Sequence, residues 1–159
     1  MFKIILASKS KVRKKILDEH SILNEVRHSN IDEDIIKTSL LKENASPEII
    51  SKNLAELKAN KVSITEKDNL VLGADSVIDL DGELISKPNS RQEALVILKK
   101  LNGKKHFLIS SVCISKNGAM VWNYSDKATL TMKKMTDDEL KNYLEKISDE
   151  ALYAYNVYQ

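Results

Sequence analysis

Residues 70–78 read LVLGADSVI, an apolar run in which Asp75 is the one charged side chain. A run of this kind is typical of a strand that is covered on both faces, as strands of parallel sheets are. A buried carboxylate is costly unless it is paired or binds a metal ion. Gly73 and Ala74, just before it, would let a ligand approach the backbone closely. Asp75 is therefore the first candidate functional residue, and the alternative is a carboxylate at a strand end or on an exposed face.

Upstream of this run, the sequence predicts a strand and then a helix. Residues 2–7 are rich in large apolar side chains and predict a short buried strand. From about Lys11, apolar residues at helical spacing predict a helix whose inner face carries Val12, Ile16 and Leu17. We therefore expect the chain to open with a strand and a helix that pack beside the central strand.

A second helix is predicted between these elements and the central strand. Ser46-Pro47-Glu48 is a strong helix start, with Ser as N-cap and Pro in the first turn, and the helix runs to about Val62. Residues 21–45 are mixed, and their pattern does not decide between helix, strand and loop. Asp81-Gly82 predicts a hairpin turn after the central strand.

The remaining sequence continues this alternation of helix and strand. Capping boxes at residues 90–93 and 136–139 predict two more helix starts. Residues 106–115 and 119–132 predict two long strands. Because the chain has no repeat and no evident linker, we predict one α/β domain with a mixed sheet over residues 1–159.

The composition is that of a soluble globular protein. The chain has 159 residues, of which 42% are hydrophobic and 30% charged, and Cys113 is its single cysteine. One cysteine excludes an intramolecular disulfide. No apolar stretch approaches the roughly 20 residues of a membrane span, and the N-terminal apolar run is too short for a signal-peptide core. The sequence therefore predicts a cytoplasmic protein with no membrane partner.

The charges argue against nucleic acid as a partner. The 25 basic and 23 acidic residues leave a net charge of only +2. The basic residues between Lys9 and Lys15 are most simply a solvated helix face. Five Tyr, two Phe and one Trp are few for base-stacking platforms. We expect no nucleic-acid partner, and a small RNA-binding domain that uses the basic cluster remains an alternative.

Ser8, Ser10 and Arg13 form a candidate phosphate site. They lie between the end of the first strand and the start of the first helix. Unpaired N–H groups at a helix N-terminus attract phosphate, and an arginine can grip it with two parallel hydrogen bonds. The alternative is that Ser10 merely caps the helix while Arg13 is exposed. The Gly-rich phosphate loops are absent from the sequence.

Three further segments are weaker candidates. Asp32-Glu33-Asp34 would hold Mg²⁺ if it lay beside phosphates and Asp75, and by itself it is more typical of a solvated turn. In Lys87-Pro88, the proline would aim Lys87 into a cleft, although alone the pair is usually a turn. Lys58, on the second predicted helix, is unremarkable in isolation.

Seven short motifs follow one another along the chain. They are LASKSKVR at 6–13, IDE at 31–33, LAELKA at 54–59, GADSV at 73–77, GELISKP at 82–88, LNGKKH at 101–106 and YQ at 158–159. Together, in this order, they resemble the motifs of the Maf family of nucleoside triphosphate pyrophosphatases. Each motif is weak alone, but the series covers essentially the whole chain and is specific.

The resemblance implies a fold and a reaction. The fold is a Maf/ITPase-like α/β domain with a long mixed sheet, flanking helices and a deep cleft, and members often form homodimers. The reaction is hydrolysis of a nucleoside triphosphate, non-standard ones included, to the monophosphate and pyrophosphate with Mg²⁺ or Mn²⁺.

The resemblance also implies roles for individual residues. Asp75 would be the general base that activates water, and Glu33 and Asp75 would hold the metal ion. The implied substrate-binding residues are Ser8, Ser10, Arg13, Lys58, Lys87 and Gln159. These roles have chemical reasons, because attack on phosphorus needs a base near water and the departing pyrophosphate needs cations around it.

The chain departs from the family pattern at two places. Lys11-Val12 stands where many members have Pro-Arg or Pro-Trp, so no base preference follows. The chain stops at Gln159, and we therefore expect it to lack the family's C-terminal strand and helix. This departure keeps open an alternative function, a nucleotide-binding regulatory protein related to cell division with little or no turnover. Release of pyrophosphate discriminates between the two.

Overall fold

A computed structural model of the chain describes residues 3–154, with alternating strands and helices. In chain order the elements are β1 (Ile4–Leu6), α1 (Lys11–Glu19), β2 (Asn24–Val26), α2 (Glu33–Lys42), α3 (Pro47–Thr65), β3 (Leu70–Leu80), β4 (Glu83–Ile85), α4 (Arg91–Leu101), β5 (Lys105–Lys116), β6 (Ala119–Thr131), α5 (Asp137–Lys146) and α6 (Asp149–Ala154). No helix within the described residues combines the length and apolar character that crossing a membrane requires.

The strands form one mixed sheet. Its order is β2-β1-β3-β5-β6, and β4 pairs with β3. β1 runs parallel to both β2 and β3, whereas β4 runs antiparallel to β3. The predicted α/β class with a mixed sheet is therefore confirmed, and the apolar run at residues 70–78 lies in an inner strand as expected.

The chain divides into two compact units. The first comprises the residues up to Ser76 together with Ile109–Asp126, and the second comprises Val77–Leu108 and the residues from Lys127 onward. The core of the second unit is formed by ten buried side chains. They are Ile78, Leu80, Ile85, Ala94, Ile97, Leu98, Leu101, Leu140, Leu144 and Leu152.

In the first unit, α3 packs directly on β3 and β5. Ala55 and Ala59 of α3 form a buried cluster with Cys113 of β5. A side chain at Gly73 of β3 would meet the carbonyl oxygen of Ala55 and, at 2.7 Å, the backbone nitrogen of Ala59. Because small residues on both sides allow this approach, the helix backbone and the strand backbone are nearly in contact.

The predicted helix starts are confirmed. The hydroxyl of Ser46 accepts a hydrogen bond from the backbone of Ile49, and Pro47 occupies the first turn of α3. Ser90 caps α4 in the same way, and Thr136 forms a capping box with Glu139 at α5.

Two expectations about the N-terminal segments are wrong. Residues 32–34 are not a solvated turn but a helix start, because the carboxylate of Asp32 caps α2; the rest of residues 21–45, which the pattern left undecided, includes β2. On α1, Val12 and Ile16 are exposed, and only Leu17 is buried.

Candidate active site

The candidate site lies where β1 ends beside β3. The ladder between the two strands pairs Leu6 with Leu72, and the backbone nitrogen of Ala7 then donates to the carbonyl oxygen of Leu72 at 2.8 Å. Beyond that point the chain turns into α1, while β3 continues through Ala74 and Asp75. Ligands of open α/β sheets bind outside the carboxyl ends of the strands, so this is where binding residues are expected.

Ser8, Ser10 and Arg13 are joined in this turn. Ser10 is the N-cap of α1, and its hydroxyl accepts from the backbone nitrogen of Arg13 at 3.3 Å. Nη1 of Arg13 donates to the hydroxyl of Ser8 at 3.1 Å and to the carbonyl oxygen of Ala74 at 2.9 Å. The interpretation of this motif as a helix cap with an exposed arginine is therefore confirmed only for the cap. Ser10 is a cap, but Arg13 is half-buried and directed at β3 rather than exposed.

Lys58 reaches the same stretch of β3 from α3. Its Nζ lies 2.9 Å from Oδ1 of Asp75, 2.9 Å from Oε1 of Glu33 and 3.5 Å from the carbonyl oxygen of Ala74. The Lys58 side chain is only 7% exposed. A lysine that is this buried requires ionic partners, and the two carboxylates provide them.

Burial sets the proton affinities of the site. Desolvation raises the pKa of the Asp75 carboxyl above its usual range, and this outweighs the opposite effect of Lys58. The negative charge of Glu33 raises the pKa of Asp75 further. Desolvation also lowers the pKa of the Arg13 guanidinium, although Asp75 and Glu33 oppose that change. Asp75 is thus a carboxylate with an elevated proton affinity among fixed charges.

The donor set fits a divalent cation held jointly with a substrate. Oδ2 of Asp75 is buried and has no hydrogen-bond partner among residues 3–154, so one carboxylate oxygen is left for a ligand. Glu33 lies across Lys58 from it and is 38% exposed. Within the same residues, no group of three or more His, Cys, Asp or Glu side chains could enclose a metal ion. Mg²⁺ usually takes one or two carboxylates and completes its shell with phosphate oxygens and water, which suits this pair.

The structure gathers most of the residues that the sequence predicts for the site. Those that lie together in the first unit are Ser8, Ser10, Arg13, Glu33, Lys58 and Asp75. Lys87 belongs to the second unit, where it is exposed in the loop between β4 and α4. Gln159 lies outside the described residues.

Three polar residues near the site were not predicted. The hydroxyl of Ser51 on α3 donates to the carbonyl oxygen of Asp75 at 3.2 Å. Lys37 lies 3.8 Å from Oε2 of Glu33, one turn along α2. Ser110 of β5 lies 3.1 Å from the hydroxyl of Ser76, which in turn accepts a 3.4 Å hydrogen bond from Nη2 of Arg13. The four-residue spacing of Glu33 and Lys37 was the one signal available in the sequence.

The sequence matches a family model and many curated proteins. The family model is described as "Maf-like protein" and matches residues 3–155. One relative, a nucleoside triphosphate pyrophosphatase of Pelagibacter ubique, is 69% identical over 156 residues, which are 98% of this chain and 80% of that protein. Another, a 7-methyl-GTP pyrophosphatase of Rhizobium etli, is 31% identical over 157 residues, which are 99% of this chain and 79% of that protein.

Solved structures resemble the fold at much lower identity. A nucleoside-triphosphatase / dITP/XTP pyrophosphatase of Mycobacterium abscessus superposes with a TM-score of 0.52 at 11% identity, covering 84% of this chain and 76% of that one. A HAM1 protein of Coxiella burnetii gives a TM-score of 0.50 at 14% identity, covering 81% of this chain and 71% of that one. At such identities the likeness establishes the fold alone.

Proposed function

The chain belongs to the family of Maf-like proteins, and we propose that it hydrolyses nucleoside triphosphates to the monophosphate and pyrophosphate. The observation that carries the proposal is the placement of Asp75. This buried carboxylate has one oxygen without a partner in the described part of the chain, and it lies beside Lys58, within the field of Arg13, near the carboxyl end of β1. Relatives named nucleoside triphosphate pyrophosphatase support the same reaction.

In this proposal the turn between β1 and α1 binds the phosphates. The N-terminus of α1 presents backbone N–H groups, and Ser8 and Ser10 add hydroxyls. The guanidinium of Arg13 is held by Ser8 and Ala74, so it is already oriented before a substrate arrives. Fixed donors of this kind stabilise charge that develops on departing pyrophosphate without reorganising during the reaction.

Asp75 would act as the general base. Its free oxygen, Oδ2, accepts a proton from water as the water oxygen attacks the α-phosphorus. The bond between the α-phosphorus and the bridging oxygen breaks, and that oxygen leaves with pyrophosphate. The raised pKa of Asp75 suits this role, because a base works best when its pKa is near the working pH.

Glu33 and Asp75 would hold the divalent ion. A bound Mg²⁺ or Mn²⁺ would supply positive charge to the phosphate oxygens and orient them for attack. Lys58 would bind phosphate, and we propose Lys87 and Gln159 as further substrate-binding residues on the strength of the family motifs alone. The substrate panel should include 7-methyl-GTP, since a relative carries that activity in its name.

The test is release of pyrophosphate from a panel of nucleoside triphosphates. We expect pyrophosphate and the monophosphate in the presence of Mg²⁺ or Mn²⁺, and none in EDTA. A reaction in H₂¹⁸O locates the attack, and the label should appear in the monophosphate. Label in the pyrophosphate would place the attack on the β-phosphorus. If nucleotides bind but no member of the panel releases pyrophosphate, the result contradicts the proposal and favours a regulatory binding protein.

A further inference from the structure

One ammonium group joins both carboxylates of the candidate site. Nζ of Lys58 is 2.9 Å from an oxygen of Glu33 and 2.9 Å from an oxygen of Asp75. The two acids come from different elements, α2 and β3, and the lysine comes from a third, α3. Lys58 therefore links the two acids through one ammonium group.

The acids of the site face more than one cation. Glu33 and Asp75 lie among Lys58, Arg13 and Lys37, and Lys58 is the cation that contacts both acids. A divalent ion that entered between the carboxylates would add two positive charges next to the buried ammonium of Lys58, and like charges repel strongly in a desolvated site. The phosphates of a nucleotide would offset the added charge by drawing the ammonium toward themselves.

We propose that Lys58 occupies the place of the divalent ion between Glu33 and Asp75 in the ion-free protein and exchanges these carboxylates for substrate phosphate when the ion binds. This inference rests on the proposed function and deepens it. Lys58 is then a cation with two successive positions, and its first position competes with the ion.

Lys37 provides a matched control. It contacts the same carboxylate of Glu33, but at the other oxygen, at 3.8 Å, and from the same helix. Its side chain is 18% exposed, against 7% for Lys58. Removal of either lysine takes one positive charge from the neighbourhood of Glu33, but only removal of Lys58 vacates the position shared with Asp75.

The experiment measures Mn²⁺ binding without nucleotide, by calorimetry, for the wild type, Lys58→Met and Lys37→Met. We expect Lys58→Met to bind Mn²⁺ at least about tenfold more tightly than the wild type, because a competing charge is gone. Lys37→Met should stay within about threefold of the wild type, because its contact with Glu33 is long, at 3.8 Å, and Lys37 has no contact with Asp75 among the ion pairs of the described residues. Equal affinity of Lys58→Met and wild type would overturn the proposal. An equal gain in both variants would overturn it as well, since that is a general charge effect.

A second measurement uses the wild type alone, in case Lys58→Met does not fold. Acylation of individual lysines is followed by peptide mass spectrometry with and without saturating Mn²⁺. We expect the ratio of the Lys58 rate to that of the exposed Lys52 to rise several-fold with Mn²⁺, and an unchanged ratio would overturn the exchange. Pyrophosphate release by the wild type tests the proposed function separately, so failure of one is not mistaken for failure of the other.

Discussion

Nη1 of Arg13 donates a 2.9 Å hydrogen bond to the carbonyl oxygen of Ala74, the residue before Asp75. This carbonyl lies past the point where β1 and β3 are paired, and Nζ of Lys58 approaches it as well. A buried carbonyl requires a donor, and here cationic side chains supply it in place of a neighbouring strand. Arg13 and Lys58, which we propose to bind phosphate, therefore also hold the backbone that carries Asp75.

Arg13→Lys should impair turnover. A lysine ammonium has its three donors on one nitrogen and cannot span Ser8, Ala74 and a phosphate, whereas a guanidinium spreads five donors over a fixed plane. We expect kcat/KM for pyrophosphate release to fall about 100-fold, which corresponds to about two charge-assisted hydrogen bonds. Lys15→Met, which removes an exposed charge of the same helix, is the control and should retain wild-type kinetics. Unchanged kcat/KM in Arg13→Lys would remove Arg13 from the site.

Asp75→Asn should abolish turnover and preserve the fold. The amide cannot accept a proton from water, so kcat should fall by at least about 10³-fold. Asp81→Asn makes the same chemical change at an exposed turn residue with positive φ, a conformation that Asn tolerates, and should stay fully active. Circular dichroism and steady-state kinetics measure the two effects. Full activity of Asp75→Asn would contradict its assignment as the base.

The stability of the ion-free protein should depend on pH through Asp75. Its folded-state pKa is raised above the unfolded value of about 3.9, so the folded state binds the proton more tightly. The resulting stabilisation is complete below pH about 4 and is lost as the pH rises through the folded pKa. Lys58, Arg13 and Glu33 are the charged groups around it.

Urea unfolding in EDTA at several pH values, for the wild type and Asp75→Asn, tests this dependence. As the pH rises, the free energy of unfolding of Asp75→Asn should increase relative to that of the wild type. The opposite slope would show that Lys58 outweighs burial and that the pKa of Asp75 is lowered in the folded protein.

Gly73→Ala should destabilise the first unit. The added methyl group would collide with backbone atoms of α3 at Ala55 and Ala59, and backbone cannot move aside as a flexible side chain can. We expect a loss of about 3 kcal/mol in the free energy of unfolding. Gly82→Ala is the comparison, because its φ of 87° is strained for alanine while no atom lies within 4 Å. It should cost only about 1 kcal/mol, from the backbone alone. Equal losses would show that α3 can retreat from β3.

The sequence predicted the local features of the site well. Ser10 carries the pattern of an N-cap, and the structure confirms the cap. The apolar strand made Asp75 a candidate for burial beside the alternative of an exposed position, and the structure shows it buried. Both features depend on residues that are close in the sequence, so a short sequence pattern is enough to suggest them.

The meeting of Glu33 with Lys58 could not be predicted from local pattern. This contact depends on how α2 packs against α3. Because α2 has no fully buried residue, its sequence carries no strong apolar face that would indicate the side in contact with α3. On α1, apolar spacing predicted an inner face at Val12 and Ile16, yet both side chains are exposed. A helix buries an apolar side chain only where another element packs on it, and the helix's own sequence does not contain that information. Only the family motifs, taken in order, linked these residues to one site.

The first unit is discontinuous along the chain, and this has a consequence for its synthesis. All six gathered residues precede Val77, so the ribosome delivers them before any part of the second unit. The strand segments that complete the first unit, Ile109–Asp126, follow only after Val77–Leu108 has been made. Until Cys113 arrives, Ala55 and Ala59 lack the partner that buries them. A nascent chain that ends at Ser76 would therefore carry the charged groups gathered in the first unit, Arg13, Glu33, Lys58 and Asp75, on an unfinished scaffold. Co-translational folding of the first unit must wait until Ile109–Asp126 has been synthesised.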